Sequence, residues 1–172
     1  MTVAAAATAV GYAGAMTDPT IRWPERFLPD RAPVHVVNSL DIAASPQAVW
    51  AVLIRATRWS EFYGNASKVA IEGGGPDLFE DARFTWRTFG VDLVTQVREF
   101  EPCERIAWLA TAPLIEAYHA WLIVPTPGGC RVITEETQQG LAARVGRVLF
   151  PGRMERQHQL WLEGLAVAAR GL

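Results

Sequence analysis

The sequence is poor in lysine and cysteine and has no long hydrophobic run. Its 16 basic and 18 acidic side chains nearly balance, so it lacks the positive footprint of a nucleic-acid-binding protein. Lys68 is the only lysine, and no Lys/Arg run suggests an anionic membrane surface. No apolar stretch approaches the ~18 residues of a membrane span, so we expect no membrane insertion. Cys103 and Cys130 fit neither a zinc nor a disulfide pattern, and two isolated thiols favour a cytoplasmic protein.

The usual signatures of metal, phosphate and nucleophile chemistry are also missing. The three histidines, His35, His119 and His158, have no paired spacing, so a three-ligand metal site would need distant strands. We therefore expect neither a metal nor a cofactor. The glycines at 73–75 precede no helix and predict a turn rather than a phosphate loop. No Gly-x-Ser-x-Gly sequence occurs, and Cys103 has no histidine nearby in sequence.

The chain does have abundant core material. Its 172 residues suit one domain, and 50% of them are hydrophobic. Seven tryptophans exceed the usual need of such a core and indicate an aromatic-lined cavity. We expect residues 1–16 to form a disordered tail, or to result from an early start codon with translation beginning instead at Met16. The alternative is a targeting role for this segment. We expect residues 17–33 to form an irregular arm anchored by Trp23 and Phe27. We expect residues 34–172 to form the folded domain.

The stretch from Tyr118 to Gly140 predicts a β-hairpin. Two runs rich in β-branched and aromatic residues flank a turn that contains Pro127, Gly128 and Gly129. If Val124 pairs with Arg131, then Ile123 faces Val132, Trp121 faces Thr134 and His119 faces Glu136. A slip of one residue would bring Glu135 beside His119 instead, because successive side chains point to opposite faces. The pattern predicts a His–Glu pair and leaves the choice of glutamate open.

Further strands and helices follow from alternation and capping signals. Ser45-Pro46 predicts the start of a helix that ends near Arg55. Gly64 predicts that a second short helix ends in the left-handed conformation. Pro151 suits the first turn of a long C-terminal helix. We expect the other strands at 34–43, 68–72, 82–88, 91–101 and 105–111, the other short helix at 58–63, and a third at 141–149.

Alternation divides the strands into an apolar face and a solvated face. We expect the C-terminal helix to cover the apolar face with a stripe at spacings of three and four. That stripe comprises Met154, His158, Trp161, Leu162, Leu165 and Ala169. The apolar face comprises Phe84, Trp86, Leu93, Thr95, Val97, Ile106, Trp108, His119, Trp121, Thr134 and Glu136. The opposite, solvated face comprises Arg83, Arg87, Asp92, Gln96, Arg98, Arg105, Arg131 and Glu135.

Four phrases carry a family resemblance: IAASPQAVWAVLIRATRWSEFY from Ile42, VREFEPCERIAW from Val97, AYHAWLIVPTPGGCRVITEETQQG from Ala117 and MERQHQLWLEGL from Met154. Over residues 34–172 the chain resembles the START-like superfamily and its SRPBCC branch of polyketide cyclases, dehydrases and lipid carriers. The resemblance implies an α+β helix-grip fold. In that fold a curved antiparallel sheet of about seven strands wraps around a long C-terminal helix, with two short helices after the first strand.

The resemblance implies a cavity for a hydrophobic, aromatic or polyketide-like ligand. In an enzyme of this kind, His119 would act as general acid or base and Glu136 would orient it during cofactor-free cyclisation or dehydration. The alternative for this pair is a buried polar contact that fixes strand register. Two other functions stay open: a carrier or sensor without chemistry, and a protein-contact domain with a filled core and an exposed apolar patch. The expected ligand-binding residues are Phe84, Trp86, Leu93, Thr95, Trp108, Trp121, Thr134, Met154, His158 and Trp161.

Overall fold

A computed structural model describes residues 20–171 as an antiparallel sheet covered by helices. The predicted tail, the position Met16 and the first three residues of the predicted arm lie outside the described residues. The seven strands follow the order β1-β7-β6-β5-β4-β3-β2, and every neighbouring pair is antiparallel. Their bounds are β1 Val34–Ile42, β2 Ser67–Ile71, β3 Arg83–Thr88, β4 Val91–Glu101, β5 Arg105–Ala112, β6 Ile115–Thr126 and β7 Gly129–Gln139.

Within residues 20–171, four α-helices accompany the sheet: α1 Pro46–Ile54, α2 Trp59–Phe62, α3 Leu141–Leu149 and α4 Arg153–Arg170. The predicted cap of α1 is confirmed, since Ser45 Oγ accepts a hydrogen bond from the Ala48 N–H at 3.2 Å. Together with the curved sheet and the long α4, these helices confirm the predicted helix-grip fold. In the part of the chain that the structure describes, no helix is long and apolar enough to cross a membrane.

Two predicted helix ends differ from the structure. The end of α2 does not use a left-handed Gly64; Tyr63 turns extended and its N–H bonds to Trp59 O at 2.8 Å. Pro151 lies in the turn before α4 rather than in its first turn. The chain must reverse between α3 and α4, and Gly152 makes that reversal with φ of 69°.

The hairpin register is as predicted. Val124 pairs with Arg131, and His119 pairs with Glu136. Glu136 is therefore the glutamate that shares the inner face with His119. Glu135 points to the outer face, where its carboxylate lies 2.6 Å from His35 Nε2.

An aromatic cluster fills much of the space between the inner face and the helices. Trp59 lies at its centre, fully buried, with its indole N–H donating to Leu53 O at 2.9 Å. Tyr63 stacks on Trp161 of α4 with ring centroids 4.4 Å apart. Aromatic contacts of this kind add stability beyond that of buried area alone. They fix α4 and α2 against the sheet.

The outer face is not solvated throughout, which corrects the prediction for Arg105. Phe27 and Trp23 anchor the arm, as expected, and their rings pack against Tyr118 on the outer face of β6. Arg105 is only 4% exposed and donates to Thr20 O at 3.0 Å. The arm thus covers the part of the sheet where the outer residues of β5 and β6 are small or aromatic.

Candidate functional site

A cavity of about 370 Å³ lies between the inner face of the sheet, α3 and the first half of α4. Its wall is mainly apolar and aromatic, with a polar group at one side. The wall residues on the sheet are Val34, His35, Val36, Trp86, Thr88, Val91, Leu93, Trp108, Ala110, Ile115, Ala117, His119, Glu136 and Gln138. The helices contribute Ala142, Ala143, Gly146, Arg147, Arg153, Met154, Glu155, His158 and Trp161.

Most of the predicted ligand-binding residues line this cavity. They are Trp86, Leu93, Trp108, Met154, His158 and Trp161, and the predicted pair His119 and Glu136 lies on the same wall. The three indole rings present flat apolar surfaces of a kind suited to planar ligands.

Phe84, Thr95, Trp121 and Thr134 lie on the predicted face but do not line the cavity. All four are at most 2% exposed within the core. Thr95 accepts the indole N–H of Trp86 at 3.0 Å, and Trp121 packs edge-on to Trp161 at 5.0 Å. α4, α1 and α2 pack directly over this part of the sheet, so its inner face is filled rather than hollow.

A row of three titratable side chains forms the polar side of the cavity. His119 comes from β6, Glu136 from β7 and His158 from α4, and none of these residues, counted with its backbone, is more than 8% exposed. His119 Nδ1 lies 3.1 Å, and His158 Nε2 3.3 Å, from the same Glu136 atom, Oε2. The two imidazole rings are nearly parallel, with centroids 4.7 Å apart. The carboxylate therefore joins the sheet to the covering helix.

Hydrogen bonds to other side chains hold the row in place. Thr134 Oγ1 lies 2.6 Å from His119 Nε2, and Gln138 Nε2 donates to Glu136 Oε1 at 2.7 Å. With its Nδ1–H beside the carboxylate, neutral His119 accepts the Thr134 hydroxyl at Nε2. Both nitrogens of His119 are thus occupied within the protein. His158 Nδ1 is buried and has no hydrogen-bond partner among the described residues.

Burial controls the charge of this row. It lowers the pKa of His119 to about 3, an effect that Glu136 only partly offsets and neighbouring His158 reinforces. Burial also acts to raise the pKa of Glu136, but the two histidines and Gln138 outweigh it, and the pKa of the carboxyl is lowered. At neutral pH, His119 is neutral and Glu136 is ionised.

One donor atom from each of His119, Glu136 and His158 lies within 4.8 Å of the others, a group that could hold a metal ion. Sequence spacing alone indicated that such a site would need distant strands. The structure places two of the three residues opposite each other on neighbouring strands and brings the third from α4.

Sequence reasoning missed the contribution of α3 to the cavity. Ala142, Ala143 and Gly146 line it, and small residues at spacings of three and four were the available signal. Just beyond the C-terminal end of α3, the Arg153 guanidinium lies 5.1 Å from the Phe89 ring and 5.4 Å from the Phe150 ring. All three residues belong to the cavity wall.

The two thiols are not activated. Burial, the largest cause for both, raises the pKa of Cys103 and of Cys130, and Glu104 adds to the effect on Cys103. Neither residue lines the cavity.

Comparisons with known proteins identify the family. Among solved structures, a hypothetical protein, jhp0584 from Helicobacter pylori, is 29% identical with a TM-score of 0.82, covering 91% of this chain and 100% of its own. The ZhuI aromatase/cyclase from a Streptomyces species is 17% identical with a TM-score of 0.62, covering 80% and 93%. A protein from Thermus thermophilus, TTHA0849, is 14% identical with a TM-score of 0.63, covering 80% and 98%. The last two likenesses show the fold alone.

A comparison with curated proteins finds no match. The family model described as "Polyketide cyclase / dehydrase and lipid transport" matches residues 33–170, which is most of the chain and includes every strand and α-helix. The chain belongs to this polyketide cyclase/dehydrase and lipid transport family.

Proposed function

We propose that the protein binds a hydrophobic, aromatic or polyketide-like small molecule in the cavity between the sheet, α3 and α4. The observation that carries this proposal is the cavity of about 370 Å³ itself, with an apolar wall and one polar side. Such a volume lies in the range of small-molecule sites, where a few polar groups set the orientation of an otherwise apolar ligand.

The wall chemistry supports a flat ligand. Trp86, Trp108 and Trp161 offer indole surfaces, and the small side chains of Ala110 and Ala117 on the same wall leave space for a ligand. Ala110 pairs with Ala117 across β5 and β6, on the same face as Trp108 and His119. A planar ring system would gain both buried area and stacking contacts here.

The polar side favours binding over strong base catalysis. Glu136 keeps 11% of its side chain exposed at the cavity and can accept a hydrogen bond from a ligand hydroxyl. A carboxylate whose pKa is lowered is a weak base, and His119 has no unoccupied nitrogen to offer. Binding without chemistry, as in a carrier or sensor, is therefore the primary proposal.

Cofactor-free cyclisation or dehydration is a second candidate function. It is favoured by the placement of a buried carboxylate between two imidazoles at the cavity wall. In this proposal Glu136 takes a proton from an enolisable ligand carbon, the enolate so formed attacks a carbonyl carbon of the same ligand to close the ring, and Glu136 returns the proton to the resulting alkoxide. His119 and His158 position the carboxylate. Confinement of a flexible substrate also lowers the activation barrier, because it removes the conformational freedom that the free substrate would lose on reaching the reactive conformation.

The filled-core alternative is less well supported. The open cavity argues against it, although α3 does carry exposed apolar side chains on its outer surface. Val148 is 74% exposed and Leu149 63%.

A cytoplasmic location is part of the proposal, because Cys103 and Cys130 form no disulfide.

Fluorescence titration with anilinonaphthalene sulfonate tests the proposed cavity. Ala117→Leu extends a side chain into the cavity and should weaken dye binding by tenfold or more, whereas Ala51→Leu, exposed on α1, should not. Val148→Ser removes an exposed apolar side chain from the outer surface of α3, so a loss of dye binding in this variant would indicate that the dye binds at that surface rather than in the cavity. Equal affinity in the wild type, Ala117→Leu and Ala51→Leu would overturn the proposal.

A further inference from the structure

Glu136 is a buried carboxylate without a permanent cation. Among the ion pairs of residues 20–171, the partners of Glu136 are His119 and His158, and no arginine or lysine pairs with it. Exposed acids elsewhere have such partners, as Asp41 has Arg131 at 2.7 Å. A buried anion is costly unless an opposite charge compensates it. The surroundings of Glu136 therefore suit a bound cation.

Two of the three donor-atom pairs are spaced as metal ligands are, and all three atoms lie within 4.8 Å of one another. Bonds of 2.0–2.2 Å in a tetrahedral zinc site place neighbouring ligand atoms about 3.4 Å apart. Glu136 Oε2 lies 3.1 Å from His119 Nδ1 and 3.3 Å from His158 Nε2. We propose that His119, Glu136 and His158 bind a divalent transition-metal ion, with Zn²⁺ the best match to two imidazoles and one carboxylate.

Neighbouring side chains support such a site. Metal-bound histidines commonly donate their second N–H to a fixed acceptor, and ligating carboxylates are held by further hydrogen bonds. Thr134 Oγ1 is 2.6 Å from His119 Nε2 and can accept that hydrogen bond, while Gln138 holds Glu136 Oε1 at 2.7 Å. His158 Nδ1 is buried and has no acceptor among the described residues, so this support applies to His119 and Glu136 and not to His158.

The cavity would give the metal an open position. All three side chains are part of its wall, and three protein ligands leave a fourth tetrahedral position for an oxygen from the cavity. A ligand with a carbonyl, phenolate or enolate oxygen would fit that position. Metal binding does not depend on the proposed small-molecule function, because it can be measured without any organic ligand.

Zinc titration of the full chain tests this inference. After chelator treatment and dialysis, the protein should take up one Zn²⁺ per chain by calorimetry and elemental analysis, and Co²⁺ in its place should give the visible absorption of a tetrahedral complex. Glu136→Gln and His158→Gln should each lower zinc affinity at least tenfold. The matched control is Glu135→Gln, which alters the neighbouring glutamate on the outer face, 2.6 Å from His35, and should leave affinity unchanged.

A measurement on the wild-type protein avoids any folding defect in these variants. Zn²⁺ should shift the imidazole NMR signals of His119 and His158 and leave those of His35 in place. Absence of stoichiometric uptake would overturn the inference, as would equal affinity in His158→Gln and the wild type. A signal shift confined to His35 would contradict the metal site as well. It would not count against the proposed binding of a small molecule, which the dye titration tests separately.

Discussion

His158 Nε2 lies 3.3 Å from Glu136 Oε2 and so connects α4 directly to the inner face of β7. Because His119 approaches the same oxygen from β6, one carboxylate links two neighbouring strands and the helix that covers them. This arrangement places the titratable row of the cavity at the junction of sheet and helix.

Replacement of Glu136 by alanine should destabilise the fold more than the same change at Glu135. Glu136→Ala leaves two buried imidazoles without their shared partner, so we expect a loss of about 2 kcal/mol or more in the free energy of unfolding. Glu135→Ala removes a partly exposed contact with His35 and should cost at most about 1 kcal/mol. Chelator-treated protein should be used for chemical denaturation, and equal losses would contradict the assigned geometry.

Two helical glycines should respond oppositely to alanine. At Gly164 of α4 an added Cβ would lie 2.1 Å from the Phe62 carbonyl oxygen, so Gly164→Ala should destabilise by about 1–3 kcal/mol. At Gly146 of α3 the added Cβ meets nothing within 4 Å, so Gly146→Ala should stabilise by up to about 1 kcal/mol. Thermal denaturation compares them. A stabilised Gly164→Ala would mean that α2 and α4 are not in close contact.

The arm should contribute substantially to stability. Phe27 is 5% exposed against Tyr118, and Phe27→Ala should cost about 3 kcal/mol through lost burial and a residual cavity. Leu160→Ala, at 52% exposure on α4, is the control and should change stability by less than about 1 kcal/mol. This contact lies outside residues 33–170, the part that the family model matches. Similar losses in both variants would show that the arm does not pack as described.

Two tyrosines should resist ionisation in the folded protein. Burial raises the pKa of Tyr63 to about 12, and burial together with the Glu99 carboxylate raises that of Tyr118 further. Between pH 10 and 12 the unfolded chain loses phenolic protons that the folded chain keeps, so stability should fall as pH rises. Ultraviolet titration of the wild type, Tyr63→Phe and Tyr118→Phe measures this. Ionisation of both residues near pH 10 while the protein is folded would disagree with their burial.

The sequence predicted the hairpin register because local signals define it. Pro127 and Gly128 locate the turn, and alternation then predicts that His119 faces a glutamate; the structure identifies it as Glu136 rather than Glu135. The apolar stripe of α4 was also predictable from the sequence, because its residues recur with the period of a helix. Family resemblance supplied the remaining topology.

The position of the cavity was not predictable from alternation. Trp121 and Trp108 share a face, but only Trp108 reaches the hollow part, because α4 packs directly on the other region. The lining by Gly146 of α3 depends on how the turn at Gly152 sets α3 against α4, which no local pattern encodes. The burial of Arg105 likewise depends on the path of the arm across the sheet.

Native mass spectrometry of the freshly purified full chain tests the central claim most directly. We expect a bound hydrophobic small molecule that organic extraction releases, at lower occupancy in Ala117→Leu than in the exposed control Ala51→Leu. Recovery of the same amount from both variants would place the molecule outside the cavity. A protein that carries no molecule and takes up neither anilinonaphthalene sulfonate nor a planar aromatic ligand would contradict the proposed binding function.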